Sequence, residues 1–185
     1  MQEQSYIGLD PIPMEKLPKY DLFLSQVIEF LNENFPDERF TGNIVQNYIK
    51  NEVITKPIHG KKRGYTRMHL IQLIFLSYMR AILTADEIKS VFSLAFNEIN
   101  QPEDDILSWE QAYEIFCQIY QTRQIGGASW EDSKIRGTLE ELDVAEEDFA
   151  RIRDFIKVLI LITRAANIKR EVREIVANAA QALEA

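Results

Sequence analysis

Apolar residues recur every three or four positions along most of the chain, which is the spacing of one face of an α-helix. From Asp21 this spacing predicts a first helix that ends before Pro36, because a proline disfavours helical geometry in the preceding residue. Thr41 or Gly42 is expected to cap a short second helix that runs to about Asn51. The proline-containing arm before the first helix is predicted to be extended and to dock on the body.

Three more helices are predicted behind hydroxyl residues, which are favoured at helix N-termini. Thr66 is expected to cap a third helix. Thr84 is expected to cap a fourth, in which Glu87 completes a capping box. Ser108 is expected to cap a fifth helix that ends near Arg123, before a pair of glycines.

The last third of the chain is predicted to be mostly helical. Residues 128–138 are expected to form a loop or a short turn. Apolar residues from Phe149 to Ile162 then cover most of the helix circumference, which is typical of a helix at the centre of a bundle. A break at Asn167 is expected to precede a final helix near Lys169 to Leu183.

The segment between the second and third helices lacks the helical spacing. Residues 53–65 have the sequence VITKPIHGKKRGY, with apolar ends, one proline, two glycines and four basic residues. This composition is typical of a short hairpin, so the sequence predicts a small β-hairpin wing here.

Charge marks the same part of the chain. The formal net charge is −8, yet residues 41–80 hold seven lysines and arginines against one glutamate, a net +6. A basic segment in an acidic chain suits a surface that contacts phosphates, because DNA affinity comes largely from the release of counterions. A solvated charged surface is the alternative.

Several classes of protein are disfavoured by the sequence. No stretch is long and apolar enough to span a bilayer, and the N-terminus has neither the basic nor the apolar region of a signal peptide, so a cytoplasmic location and no membrane partner are expected. Cys117 is expected to be a small buried apolar group. The two histidines, His59 and His69, have no metal-ligand spacing, and His69 is expected on a helix surface. We predict no metal and no cofactor.

Catalytic motifs are also missing from the sequence. It contains no nucleophile elbow, phosphate-binding loop or dinucleotide fingerprint. Acidic runs occur at loops or helix starts, where negative charge favours the helix dipole without any catalytic role. The protein is therefore predicted not to be an enzyme.

Residues 41–92 carry a longer pattern. It begins T-x-x-x-V-x-N-Y-I-K-x-x-V-I-x-x-P and continues with K-K-R-G-Y-T-R-x-H-L and A-D-E-I-K-S-V-F. This pattern resembles the DNA-binding domain of MerR-type transcriptional regulators. The whole chain is more closely similar to an uncharacterised bacterial family with a MerR-like N-terminal half and a helical C-terminal half.

The resemblance implies a mainly α fold. Residues 1–100 would form a MerR-like winged helix-turn-helix with an N-terminal arm and a small β-hairpin wing. Residues 101–185 would form a C-terminal helical bundle that packs on this unit or dimerises. The resemblance also implies that Tyr48 contacts the DNA backbone at the end of the recognition helix, that Arg63 lies on the wing and that Tyr65 closes it.

The residue types in this segment suit DNA binding without the resemblance. Asparagine and glutamine amides on a short helix can pair with adenine edges in the major groove. A tyrosine hydroxyl and nearby basic side chains can bond phosphates, and a basic hairpin can follow the backbone or enter the minor groove. The predicted DNA-binding residues are Asn43, Gln46, Asn47, Tyr48, Lys50, Lys61, Lys62, Arg63, Tyr65 and Arg67. Each has an ordinary alternative as a surface residue, a cap or, for Tyr48, a core aromatic.

These patterns predict a transcriptional regulator that binds double-stranded DNA as a homodimer, with any small-molecule effector unknown. Dimerisation is expected because DNA-binding modules commonly pair over two half-sites. The first alternative is a non-enzymatic protein–protein interaction module that keeps the MerR-like fold. A second alternative is a small-molecule pocket in the C-terminal bundle, lined by Phe149 and Phe155.

Overall fold

The computed structural model describes residues 10–60, 62, 64–101, 103, 105–122, 128–142 and 144–184. Over these residues the fold is mainly helical, as predicted, with a 3-10 turn at Met14–Lys16 in the N-terminal arm. The α-helices are α1 (Leu24–Asn34), α2 (Gly42–Lys50), α3 (Arg67–Met79), α4 (Ala85–Phe92), α5 (Trp109–Thr122), α6 (Ala128–Glu141) and α7 (Phe149–Glu184).

The predicted caps of four helices are confirmed. The Thr41 hydroxyl accepts a hydrogen bond from the Ile44 amide in the first turn of α2. Thr84 and Glu87 form the predicted capping box of α4. Ser108 forms the equivalent reciprocal pair with the side chain and amide of a glutamine at the start of α5, and Thr66 lies at the N-cap of α3.

The start of α1 differs slightly from the prediction. Phe23, rather than Asp21, is the N-cap, and its amide donates to the Gln26 side chain at 3.0 Å. The helix ends at Asn34, before Pro36, as the position of the proline predicts.

Two predictions about the C-terminal part are wrong. Residues 128–138 lie in α6 rather than in a loop, because Ile135 and Leu139 bury one face of it and Gly137 has open space around its Cα position. Asn167 does not break α7, since its amide donates to the Tyr120 hydroxyl at 3.0 Å and the helix continues through it. The amide that suggested a helix end instead makes a tertiary contact.

The predicted β-hairpin wing is not seen in the part of the chain that the structure describes. The described residues between Pro57 and Tyr65 are irregular, and the Ile58 amide donates a hydrogen bond to the Gly64 carbonyl at 3.1 Å. The amides that would begin a strand bond to side chains instead: Thr55 to Gln72 and Lys56 to Asn100. The Thr55 and Lys56 amides are therefore not available for a strand ladder.

Helix α3 forms the centre of the fold. Every residue from His69 to Met79 is buried, and α3 packs against α1, α5 and α7. The ring of Phe75 lies within 6.4 Å of four other aromatic rings, which belong to α5 and α7. Residues 1–100 and 101–185 thus share one hydrophobic core over their described parts.

The two phenylalanines of the alternative small-molecule pocket are core residues. Phe155 packs edge-on against Phe75 and Phe96 and has no exposed surface. Phe149 is buried beneath the Arg136 guanidinium, whose central carbon lies 4.4 Å from the ring centre. Side chains fill the space that this alternative assigned to a ligand.

Candidate nucleic-acid interface

The outer face of α2 is polar along its length. Val45 and Ile49 bury the inner face of the helix on the body. The predicted contact residues stand at positions i, i+3, i+4 and i+7, which lie on one face of a helix. All of them are exposed: Asn43, Gln46, Asn47 and Lys50. The helix therefore presents three amides and one ammonium group to solvent on a single face.

The C-terminal end of α2 is held in a strained conformation. The Glu52 and Val53 amides donate to the carbonyls of Ile49 and Tyr48, at 3.0 and 2.9 Å, which is the hydrogen-bond pattern of a Schellman motif. Glu52 takes the left-handed position with φ of 54°, where glycine is the usual residue. Tyr48 itself is half-buried and packs on the core.

Residues 57–65, which we term the basic loop, continue the surface beyond α2. Lys62 is exposed on it, whereas Lys61 and Arg63 lie outside the described residues. A side chain at Gly64 would bring its Cβ to 3.2 Å from the Ile58 carbonyl oxygen, so a larger residue there would force the neighbouring backbone to shift by a few tenths of an ångström.

Tyr65 joins α2, the basic loop and the entry to α1. Its side chain is 5% exposed, and its hydroxyl accepts a hydrogen bond from the Gln46 amide at 3.2 Å. Its backbone forms an isolated antiparallel bridge with Leu22, with bonds of 2.8 and 3.3 Å. Burial raises the pKa of Tyr65, and the Gln46 hydrogen bond acts in the opposite direction. Tyr65 thus lies in the core, and its predicted contact with DNA stays a prediction.

Arg67 holds the N-terminal arm. Its guanidinium donates to the backbone carbonyls of Leu17 and Pro18, both at 3.4 Å, and the side chain is half-buried. These contacts orient the guanidinium towards the arm. The predicted phosphate contact of Arg67 would compete with them.

His69 is buried, so the prediction that it lies on a helix surface is wrong. It is 1% exposed, and its Nδ1 accepts a hydrogen bond from the Thr66 amide at 3.1 Å. The opposite nitrogen, Nε2, therefore carries the proton and donates to the Lys56 carbonyl at 3.1 Å. Burial lowers the pKa of His69, and the neutral ring ties the base of the basic loop to α3.

A second buried polar contact fixes the same region. The Gln72 side chain accepts from the Thr55 amide at 2.9 Å and donates to the Thr55 hydroxyl at 2.7 Å. That hydroxyl donates in turn to the Ile99 carbonyl at 2.6 Å. The residues before the basic loop are therefore held from two sides, by α3 and by the segment after α4.

Sequence signals for both contacts exist. Thr66 and His69 have the spacing of a capping box, in which the third helical residue bonds back to the cap. Gln72 is a polar residue inside a helix that is otherwise apolar on all sides, and such a residue needs a buried partner. Neither signal identifies the partner, because Lys56 and Thr55 lie on an irregular segment.

The charge of the interface is only partly neutralised within the protein. Lys56 pairs with Glu52 at 3.6 Å, but both side chains are more than half exposed, so the pair adds little stability. Arg80 is withdrawn from the surface, since it bonds Glu38 at 3.2 Å and lies over the Phe40 ring. Lys50 and Lys62 remain as exposed cations on α2 and the basic loop.

Comparison with protein families places this interface in a known sequence family. The model described as a domain of unknown function, DUF1836, matches residues 12–116, more than half of the chain. The chain belongs to the DUF1836 family. The DUF1836 region begins in the N-terminal arm, contains α1 to α4 and ends inside α5, so it includes the whole candidate interface. No curated protein and no solved structure matches the chain.

The described residues lack two other kinds of feature. They contain no cluster of three or more histidine, cysteine, aspartate or glutamate side chains that could hold a metal ion. None of their helices has both the length and the apolarity required to cross a membrane. Cys117 is buried as predicted, and burial raises the pKa of its thiol to about 12.

A groove lies beside the interface, between α4 and the residues after α2. Its volume is about 440 Å³, and Phe92 and Phe96 provide apolar walls while Glu52, Lys89 and Asn97 lie at its polar side. The groove is open to solvent and has a mixed lining, which suits a side chain of a partner better than an enclosed small molecule.

Proposed function

We propose that the protein binds duplex DNA and regulates transcription, through the outer face of α2 and the basic loop. One observation carries the proposal: the amides of Asn43, Gln46 and Asn47 and the ammonium of Lys50 share one exposed helical face. The hydrogen bond from Gln46 to Tyr65 sets this face beside the basic loop.

The proposed interaction divides into two kinds of contact. Lys50 and Lys62, with Lys61 and Arg63 from the sequence, would neutralise phosphates and supply most of the affinity. The three amides would pair with base edges, since α2 has nine residues and a helix of this diameter enters the major groove. Two copies would engage two half-sites, as DNA-binding modules commonly do.

The phosphate contacts are tested by charge reversal. Binding of fluorescent genomic fragments would be measured by anisotropy over a range of salt concentrations, for the wild type and for Lys50→Glu/Lys62→Glu. We expect the double variant to lose at least about tenfold in affinity and the salt slope to fall by about one per lysine. Lys134→Glu makes the charge change of one of these two substitutions at an exposed position of α6 and should bind as the wild type does. No binding by the wild type at low salt would refute the proposal.

Removal of negative charge from the same surface should strengthen DNA binding. Glu52→Asn removes the single acid of residues 41–80 and places at φ of 54° a residue that tolerates this conformation. We expect tighter DNA binding together with a slightly higher free energy of unfolding. Lower affinity would contradict the proposal that this surface attracts DNA through its positive charge.

Base contacts by Gln46 must be separated from its contact with Tyr65. Tyr65→Phe removes only the hydroxyl that Gln46 bonds, whereas Gln46→Ala removes the amide itself. If Gln46 contacts a base, Gln46→Ala should lose sequence preference and Tyr65→Phe should keep it. Equal losses in both variants would assign the effect to the structural hydrogen bond.

The groove between α4 and the residues after α2 favours a second candidate, a protein–protein interaction module. Its apolar walls are the kind of surface that accepts an anchoring side chain. Affinity purification would distinguish the candidates. A stoichiometric protein partner without enrichment of DNA would favour the module, and bound DNA fragments of related sequence would favour the regulator.

A further inference from the structure

Helix α7 has two apolar faces, and the fold covers one of them. Between Phe149 and Thr163 the inner face packs on α3, α5 and α6. The opposite face, from Leu161 to Leu183, is exposed. Its large apolar side chains have exposed fractions between 53% and 89%, and they are Leu161, Ile168, Val172, Ile175, Val176 and Leu183. We term these six residues the outer stripe.

Four residues of the outer stripe, together with three alanines, follow a heptad pattern. Leu161, Ile168 and Ile175 are seven residues apart and continue to Ala182, while Ala165, Val172 and Ala179 form the alternate series. Two series at alternating spacings of four and three residues are the a and d positions of a coiled coil. The pattern extends over about 33 Å of helix at 1.5 Å per residue.

The end of α7 needs a partner for a second reason. All side chains described from residue 171 to 183 are exposed, so these turns bury little surface on the rest of the described chain. An isolated helix of this length is marginal in water, and most helical stability in proteins comes from packing of an apolar face.

We propose that the outer stripe packs against the same stripe of a second copy, as an antiparallel pair of α7 helices. The area agrees with this partner: the five stripe side chains other than Leu161 each lose on the order of 100 Å², which gives about 1,000 Å² for two copies, the lower limit of a specific interface. The occupant is a second copy because the stripe is self-complementary about a two-fold axis, as follows from its residue order.

Residue size determines the direction of the pair. With Val172 opposite Ile175 of the second copy, Ile168 faces Ala179 and Ala165 faces Ala182, so large side chains meet at the middle of the seam and alanines meet at its ends. In a parallel pair each residue would face itself, which would set Ile168 against Ile168 and leave Ala179 against Ala179 without a large side chain to fill the space.

Charge permits the association. The chain carries −8, but residues 168–184 hold three lysines and arginines and three glutamates, a net of zero. Lys169 and Arg170 are turned to the body, where they bond the Ala81 carbonyl and the Asp37 carboxylate. The stripe is thus free of charged groups between two acidic molecules, and the two bodies lie at opposite ends of the pair.

The first test measures mass in solution by sedimentation equilibrium. One chain has a mass of 21.5 kDa, and we expect the wild type to dimerise with twice this mass. Ile175→Glu should weaken the dimer at least about tenfold, while its circular dichroism and thermal unfolding should show an intact body. Ala177→Glu adds the same charge two residues away on the opposite face and should leave the dimer unchanged. A monomeric wild type, or a dimer insensitive to Ile175→Glu, would overturn the proposal.

The second test determines the direction. The double variant Ala165→Cys/Ala182→Cys should form disulfide-linked dimers, and Ala182→Cys alone should not, because its nearest counterpart would be on the order of 25 Å away along the helix at 1.5 Å per residue. Native Cys117 is buried and does not compete. Linkage of Ala182→Cys by itself would replace the antiparallel pair with a parallel one. Neither test uses DNA, so a negative result here leaves the DNA proposal standing.

Discussion

Helix α3 and the end of α7 differ in where their polar and apolar side chains lie. Helix α3 buries His69, Gln72 and Ser77, which are polar, while the last turns of α7 expose Ile175 and Val176, which are apolar. The side chains of His69, Gln72 and Ser77 all have hydrogen-bond partners, whereas the buried Tyr78 hydroxyl has none among the described residues. The comparison shows that the burial of a side chain depends on the contacts available to it as well as on its polarity.

The largest expected effect tests the packing of α3. Phe75 has no exposed surface and contacts rings from both α5 and α7. Phe75→Ala leaves a cavity in the shared core and should lower the free energy of unfolding by about 3–5 kcal/mol. Chemical denaturation of the purified variant measures this value. A loss below about 1 kcal/mol would mean that the core relaxes around the site.

A buried hydrogen bond should have a smaller effect. Gln72→Leu keeps the approximate volume but leaves the Thr55 amide and hydroxyl without their α3 partner, which should cost about 1–3 kcal/mol. Ser77→Ala is the matched control on the same helix. The Ser77 hydroxyl bonds only the Leu73 carbonyl one turn earlier, so its loss should change stability by less than about 0.5 kcal/mol. Equal losses would contradict the assigned role of Gln72.

The buried histidine should make stability depend on pH. Burial lowers the pKa of His69 from its ordinary 6.5, while the Lys56 carbonyl and Asp21 act in the opposite direction. The unfolded chain therefore binds a proton at a higher pH than the folded chain does. The stabilisation is fully present above about pH 6.5 and is lost as the pH falls through that value towards the folded pKa.

Unfolding measured by denaturant between about pH 7.5 and pH 5 would detect this dependence. His69→Gln should reduce the slope in this range. His59→Gln replaces the exposed histidine of the basic loop and should keep the wild-type slope. An unchanged slope in His69→Gln would show that other groups cause the dependence.

The smallest effect is expected at the end of α7. Removal of residues 171–185 deletes no side chain of the described core, so the free energy of unfolding of the monomer should change by less than about 0.5 kcal/mol. The measurement must be made at a concentration where both proteins are monomeric. A loss above about 1 kcal/mol would mean that these turns support the body.

The sequence predicts the local parts of the fold well. Thr41, Thr66, Thr84 and Ser108 start helices because a cap bonds groups within three residues of itself. The helical residues 128–138 were harder to predict, since Gly137 suggests a turn and only burial of distant partners stabilises the helix. Asn167 shows the same limit, because its hydrogen-bond partner lies 47 residues earlier.

The candidate interface likewise has features that the local sequence predicts and features that depend on distant contacts. The outward direction of the α2 amides follows from helical periodicity, which is a local property. The positions of Tyr65 and Arg67 do not, since they depend on contacts with Gln46 and with the arm at Leu17 and Pro18. The wing was predicted from composition, and composition does not reveal that Gln72 and Asn100 take the amides of the segment before it.

The boundary of the DUF1836 match has a consequence for any dissected form of the protein. The match ends at residue 116, but α3 rests against Phe155 and its neighbours on α7, far beyond that point. A fragment that ends at residue 116 would lack α7, so the apolar side of α3 that α7 covers would be exposed to water. Such a fragment would need another apolar surface to cover that side of α3.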